Sequence, residues 1–185
     1  MNQMVTVIYS DAQPGVLSGL ERITEENLSD RRSKLPKGTR EFVDCDEDTF
    51  LFLHPSFAAA KLVPLDDSIH LRFVDGLIPV VTEDKAGNIL MQAFSSPESL
   101  ALTRSDGLGT YYSRSRKRLW KKGDTSGHIQ KVSSVLTSED GSFLVYRVDQ
   151  LGAACHEGYY SCFFRERIGR QLSLLPVPFL GKENA

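Results

Sequence analysis

Short segments with an apolar residue at every second position, or with runs of strand-forming residues, recur along the chain. They lie at residues 5–9, 69–73, 77–81, 89–94 and 144–148. This period of two is typical of β-strands that bury one face. The turn sequence KAGN at 85–88 separates the third and fourth segments and predicts a hairpin. The chain is therefore expected to be rich in strands.

Helical spacing is confined to fewer places. Apolar residues recur among charged ones at Val16, Leu20, Ile23 and Leu28, which predicts an amphipathic helix that ends before Pro36. Serines followed by proline and glutamate at 95–98 predict the start of a second helix. Residues 58–62 predict a short third helix. Together these elements indicate an α+β fold with an N-terminal helix-strand extension (1–68), a β-rich domain (69–170) and a loosely docked C-terminal tail (171–185).

Composition narrows the classes of protein. The chain has 185 residues, of which 41% are hydrophobic and 25% charged, with a formal net charge of −2. These values suit a globular protein with one well-buried domain and offer no overall basic field for nucleic acid. The N-terminus does not have the basic start and apolar core of a signal peptide, and no apolar run is long enough to cross a membrane. We therefore expect a cytoplasmic protein with reduced cysteines and no nucleic-acid or membrane partner.

The segment 152–163 holds two of the three cysteines, Cys155 and Cys162, with His156 beside the first. Thiolates and imidazoles are zinc ligands, and two or three of them with an open position resemble a catalytic zinc site. The gap between the cysteines is longer than in structural zinc motifs. Two buried cysteines that act as small hydrophobic residues are the alternative interpretation.

Six basic residues crowd a short segment around Trp120. They are Arg114, Arg116, Lys117, Arg118, Lys121 and Lys122. One interpretation is an edge strand protected by charge. The other is a phosphate site, because the planar guanidinium group matches phosphate oxygens.

A series of motifs occurs in a fixed order through the second half of the chain. The motifs are DGLIPVVTED (75–84), LMQAF (90–94), YSRSR (112–116), LWKKG (119–123), TSGHIQ (125–130), ACH (154–156) and SCF (161–163). This series resembles the phosphoribosyl-AMP cyclohydrolase family of histidine biosynthesis. The resemblance implies hydrolytic opening of an adenine ring between N1 and C6, with Zn²⁺ activating water, Mg²⁺ as a second cation and a homodimeric α+β enzyme.

The resemblance also implies roles for particular residues. His156 and His128 would be catalytic, and Cys155 and Cys162 would bind zinc. The nucleotide substrate would be bound by Ser113, Arg114, Ser115, Arg116, Trp120, Lys122, Thr125, Ser126 and Gln130. A lone histidine is more often a structural group, so these roles depend on the surrounding motifs.

One motif of the family is out of place. Family members carry Asp-Cys-Asp-x-Asp shortly before the ACH motif, where this chain has SEDGS at 138–142, with Glu139 at the position of a zinc cysteine. The missing pattern occurs instead as DCDED at 44–48. We therefore expect Cys45 to be the third zinc ligand and Asp44, Asp46 and Asp48 to bind magnesium. Glu139 and Asp140 are the rival ligands.

Two interpretations of this displacement stay open from sequence. The DCDED motif is either a relocated or duplicated metal-binding strand, or a chance pattern in an acidic loop. The first predicts an active enzyme, and the second a non-catalytic relative that binds a nucleotide or a partner protein. Whether Cys45 would complete the site of its own subunit or that of a partner is also open.

Overall fold

The computed structural model describes residues 3–181. Its elements are β1 (Met4–Ser10), β2 (Leu17–Thr24), α1 (Glu25–Ser33), β3 (Arg40–Val43), β4 (Thr49–Leu53), β5 (Leu62–Pro64), β6 (Ile78–Asp84), β7 (Ile89–Ser95), α2 (Pro97–Asp106), β8 (Thr110–Ser113), β9 (Arg118–Lys121), β10 (Gln130–Ser138), β11 (Leu144–Gln150), β12 (Arg165–Ile168) and β13 (Gln171–Leu174). The strand-rich α+β class predicted from sequence is confirmed. No helix within 3–181 has the length and apolar character needed to cross a bilayer.

The strands form two main sheets and a small ribbon. The first sheet has the order β13-β12-β3-β4-β1-β2, the second β5-β10-β11-β6-β7, and β8 pairs with β9 alone. Each main sheet contains the same unit, a hairpin, then a helix, then a second hairpin whose last strand runs parallel to the first strand of the unit. We call residues 4–53 the N-terminal lobe and 78–150 the C-terminal lobe.

The pairing registers show that the two lobes are repeats. Val7 of β1 pairs with Phe50 of β4, as Val80 of β6 pairs with Leu144 of β11. In each lobe the first hairpin has a register shift at the same place, two residues after this valine. A shared bulge is a specific structural feature, because an extra residue bends and twists the strand locally. The C-terminal lobe differs by the β8–β9 ribbon inserted after its helix.

The lobes exchange strands. β5, which follows the N-terminal lobe, pairs with β10 of the second sheet, and β12, which follows the C-terminal lobe, pairs with β3 of the first. Each lobe therefore completes the sheet of the other. This reciprocal exchange brings the segment after β11 against the turn between β3 and β4.

Alternation along the strands separates the buried layers. Val7 packs with α1 on the outer face of the first sheet, and Val80 lies in the cluster that includes Leu100 of α2 on the second. The next residues, Ile8 and Val81, face the opposite way and meet in one apolar cluster between the sheets. The order of layers is helix, sheet, sheet, helix, and its centre is built from equivalent residues of both lobes.

Four predictions of local structure were wrong. The first half of the long N-terminal helix is β2, because pairing with β1 along its whole length outweighs the helical spacing of its apolar residues. Residues 58–62 contain no helix, and residues 69–73 no strand. Instead, Leu71 and Phe73 pack against the core of the C-terminal lobe.

The fourth concerns the tail, which is docked rather than loose. β13 joins the first sheet, and the amide of Tyr160 donates to Pro178 O at 2.8 Å. The predicted boundary at 171 thus falls inside a sheet. The last four residues lie outside the described range.

Candidate functional site

The DCDED motif forms the turn between β3 and β4. Asp44 is buried, and its Oδ1 accepts hydrogen bonds from the amides of Asp48 at 3.2 Å and Thr49 at 3.1 Å. Glu47 adopts a left-handed conformation with φ of 59°, which lets the chain reverse. The first aspartate thus shapes the turn and leaves Cys45 near its tip.

The SEDGS segment forms the same turn between β10 and β11. The hydroxyl of Ser138 accepts from the amides of Ser142 at 3.0 Å and Phe143 at 3.3 Å, and Gly141 takes the left-handed position with φ of 68°. The registers of the two hairpins make Cys45 equivalent to Glu139. The motif is therefore displaced because it belongs to the other repeat.

The second turn does not join the thiols. Glu139 forms an ion pair with Lys61, and Asp140 pairs with Arg72 at 3.2 Å. The two exchanged strands hold equivalent registers, so Val63 of β5 corresponds to Arg165 of β12. Ala60 and Cys162 each lie three residues earlier and therefore also correspond. At the turn between β10 and β11 the chain thus has Glu139 and Ala60, where at the turn between β3 and β4 it has Cys45 and Cys162.

The loop that follows β11 carries the other two cysteines to the first turn. Cys155 is buried, its amide donates to Tyr159 O at 3.0 Å, and its sulfur accepts from the amide of Glu157 at 3.4 Å. The amide of Cys162 donates to Leu90 O at 2.7 Å. As a result, the sulfur atoms of Cys45, Cys155 and Cys162 all lie within 4.8 Å of one another, in a single chain.

This arrangement fits a tetrahedral metal. Zinc–sulfur bonds of about 2.3 Å place two sulfur ligands about 3.8 Å apart, so only small side-chain shifts would be needed. Hydrogen bonds from the other two thiols lower the pKa of Cys155, whereas the pKa values of Cys45 and Cys162 are raised, in both cases first by the hydrogen bond to Cys155. Three thiolates cannot coexist here without a compensating positive charge, which a divalent metal supplies.

His156 stands at the exposed side of the thiols. Its Nδ1 lies 3.7 Å from the sulfur of Cys45, and its Nε2 lies 3.5 Å from a carboxylate oxygen of Glu157. Cys45, Asp46 and His156 form a second group of candidate ligands within 4.8 Å. The imidazole is therefore in place to act on a molecule bound beside the sulfurs.

The three aspartates of the turn do not form one ligand group within 3–181. Asp46 faces His156, and Asp48 pairs with Arg114 at 3.2 Å. Burial, followed by the charge of Asp48, raises the pKa of Asp44 to about 7. The hydrogen bonds from the two amides lower this pKa and offset the effects of burial and of the neighbouring charges only in part.

The basic segment forms the turn of the β8–β9 ribbon. The guanidinium of Arg114 lies 4.1 Å from the ring centre of Phe94, next to its ion pair with Asp48. Ser113 Oγ accepts the amide of Arg116 at 3.2 Å and lies 3.4 Å from the hydroxyl of Ser115. This turn is exposed and reaches the acidic turn of the N-terminal lobe through Arg114.

His128 follows a loop in which Thr125 is exposed and Ser126 accepts the amide of His128 at 3.2 Å. The imidazole packs on Gly152, where an added Cβ would lie 2.5 Å from the ring. Its Nδ1 is buried and has no hydrogen-bond partner among residues 3–181. A glycine is required here for this close approach and for its φ of 70°.

Other predicted substrate ligands lie in the interior. Gln130 is fully buried, accepts from Tyr111 at 2.6 Å and donates to Gln150 at 2.8 Å. Trp120 is half-buried, with its ring centre 4.9 Å from that of Tyr111, and Lys122 is buried. Gln130 thus lies in the core and Trp120 packs against it, and contact of these residues with substrate stays a prediction.

Two residues at the site were not predicted as site residues. Arg165 of β12 donates to the backbone oxygen of Asp44 and lies 3.1 Å from Glu47, so it clamps the acidic turn. Phe94 underlies Arg114. Phe94 ends a motif of the recognised series, which was an available signal, whereas Arg165 meets its turn only through strand exchange.

Three clustered thiols beside an imidazole form a group that could hold a metal ion, and the nearby arginines could bind an anionic group. The family model described as phosphoribosyl-AMP cyclohydrolase matches residues 91–164. A phosphoribosyl-AMP cyclohydrolase of Leptospira interrogans is 52% identical over 94% of this chain and 93% of its own length. The chain belongs to the phosphoribosyl-AMP cyclohydrolase family.

Other relatives match about half of the chain. The phosphoribosyl-AMP cyclohydrolase of Methanocorpusculum labreanum is 52% identical over 54% of this chain and 81% of its own. A histidine biosynthesis bifunctional protein of Deinococcus radiodurans is 54% identical over 49% of this chain and 42% of its own. The alignment with the Leptospira protein covers 94% of this chain and therefore spans both lobes.

Proposed function

We propose that this protein is a phosphoribosyl-AMP cyclohydrolase of histidine biosynthesis, which adds water across the N1–C6 bond of the adenine ring and opens it. Family membership supports the reaction. The observation that carries it for this chain is the meeting of three cysteine sulfurs within 4.8 Å. They lie at the junction of the two lobes, next to a basic turn suited to phosphate.

Cys45, Cys155 and Cys162 would hold Zn²⁺ and leave one position open. Bound zinc would supply a water whose pKa is lowered towards 7. His156 would act as the proton acceptor through Nδ1, the nitrogen that faces Cys45, with its Nε2 3.5 Å from a carboxylate oxygen of Glu157. His128 would contact the substrate from the side of Gly152.

Magnesium would bind at the acidic turn. Hard cations prefer oxygen ligands, and Asp44, Asp46 and Asp48 could supply them. These three carboxylates do not form one ligand group within 3–181, so they would have to move together around the cation. Burial and then the charge of Asp48 raise the pKa of Asp44, and a bound divalent cation would favour the charged carboxylate. Asp48 would exchange its contact with Arg114 for the cation, and the arginine would turn to the substrate.

One chain could supply the whole set of zinc ligands. All three thiols come from the same polypeptide, so a second subunit is not needed to supply a ligand. Homodimer formation and a cytoplasmic location stay predictions. The non-catalytic alternative was based on the SEDGS segment, and the duplication weakens it, because that segment is the counterpart of the metal turn rather than its remnant.

The purified protein tests the proposal directly. It should contain about one zinc per chain by elemental analysis and convert phosphoribosyl-AMP to a product heavier by one water. Chelation should abolish turnover, and Zn²⁺ should restore it. A folded, zinc-loaded protein that leaves the substrate unchanged would refute the enzymatic function.

Arg114→Ala and Arg116→Ala should each weaken substrate binding by about 1.5–3 kcal/mol, the typical value of a charge-assisted contact. Neither should unfold the protein, because both side chains belong to an exposed turn. The Michaelis constant and thermal unfolding report the two effects. Arg118→Ala is the matched control, since it removes an arginine from the same ribbon. Unchanged binding in both variants would contradict a phosphate role.

A further inference from the structure

Arg22 of β2 reaches from the N-terminal lobe to the substrate side of the C-terminal lobe. Its guanidinium lies 5.0 Å from the ring centre of Phe94, and that of Arg114 lies 4.1 Å from the same ring. Two arginines from different lobes therefore contact the same aromatic ring. Through Arg114 this pair adjoins Asp48 and hence the turn that holds Cys45.

The repeat shows why this contact occurs. Arg22 pairs with the residue before Val7, and Phe94 pairs with the residue before Val80, so the two positions are equivalent. Equivalent residues that touch lie where the two lobes face each other. The N-terminal lobe has a cation at this point where the C-terminal lobe has an aromatic ring.

The charge of Arg22 is incompletely compensated. Its Nε is buried and has no hydrogen-bond partner among residues 3–181. Burial and then the charge of Arg114 lower the pKa of Arg22. The carboxylates of Asp48 and Asp75 act in the opposite direction, but Asp48 is engaged by Arg114. A buried guanidinium donor without an acceptor is costly unless a ligand provides one.

We propose that Arg22 is a substrate-binding residue that, together with Arg114, holds a phosphate monoester of the nucleotide substrate. This inference rests on the proposed function. The two guanidinium groups beside Phe94 offer paired N–H donors, and the oxygens of a dianionic phosphate can accept hydrogen bonds from them. The N-terminal lobe would thus contribute to substrate recognition as well as to the metal site.

Arg22→Met and Arg22→Lys test this role. Methionine keeps much of the apolar stem over Phe94 and removes the charge, while lysine keeps the charge and loses the fork. Arg22→Met should raise the Michaelis constant for phosphoribosyl-AMP about 10- to 100-fold with little change in kcat, and Arg22→Lys should show a smaller rise. Adenosine 5′-monophosphate and ribose 5-phosphate, used as competitive inhibitors, identify the end of the substrate involved, because only one should lose affinity.

Arg40→Ala is the matched control. Arg40 also stacks on a ring of the first sheet, Phe42, at 4.8 Å, and pairs with Glu166 away from the site. The Arg40→Ala variant should keep the Michaelis constant of the parent protein. An equal fall of kcat in the Arg22 variants without a change in the Michaelis constant, or parental constants in both variants, would overturn the inference. An inactive parent protein would instead refute the proposed function. If Arg22→Met does not fold, Arg22→Lys decides alone.

Discussion

Cys45→Ala is expected to lower bound zinc from about one ion per chain to a small fraction and to abolish most ring opening. Loss of an outer-shell partner typically costs about 10- to 100-fold in metal affinity or activity, so loss of a direct ligand should cost more. The sulfur of Cys45 lies within 4.8 Å of the other two sulfurs, and alanine leaves only two of them. Elemental analysis after dialysis, with activity measured on the same sample, gives both quantities.

Glu139→Ala is the control that the repeat provides. Glu139 occupies the equivalent position of the other turn and pairs with the exposed Lys61. Exposed ion pairs contribute little, so this variant should keep its zinc, its activity and nearly all its stability. Zinc loss in Glu139→Ala with full occupancy in Cys45→Ala would reverse the assignment and make the DCDED segment a structural loop.

Cys155→Ser and Cys162→Ser should each lose zinc and activity together, by a factor similar to that of Cys45→Ala. A serine hydroxyl has nearly the size of a thiol but stays protonated and binds zinc poorly. The change of a single atom preserves packing, which matters because Cys155 is only 1% exposed. Zinc content, turnover and the far-ultraviolet circular dichroism spectrum separate a lost ligand from a lost fold.

Glu157→Gln serves as a reference for this loop. It alters the charge next to His156 and leaves all three thiols in place, so its zinc content should equal that of the parent. Its melting temperature should also fall on chelation as the parent's does, whereas the cysteine variants should be insensitive to the chelator. Full zinc occupancy in either serine variant would show that the replaced cysteine is only a core residue.

Local chemistry made part of the fold predictable. The hairpin at 77–94 follows from strand formers on both sides of a turn sequence, and the helix start near Ser96 follows from its cap, whose hydroxyl accepts the amide of Ser99 at 3.2 Å. The strand at 17–24 was not predictable in this way. Its apolar spacing suits a helix as well, and only pairing with β1 decides the outcome.

The same division holds for the site. The sequence by itself determined the family, the reaction and the residue types that could hold zinc and phosphate, because these depend on side-chain chemistry and motif order. It also showed that the metal motif was displaced. The meeting of Cys45 with His156, 111 positions away, required the tertiary structure. Exchange of β5 and β12 between the sheets decides which turn faces the cysteine loop, and strand exchange is a long-range pairing that no local spacing records. Arg22 depends on the same geometry, since its charge acquires a role only where the two repeats face each other.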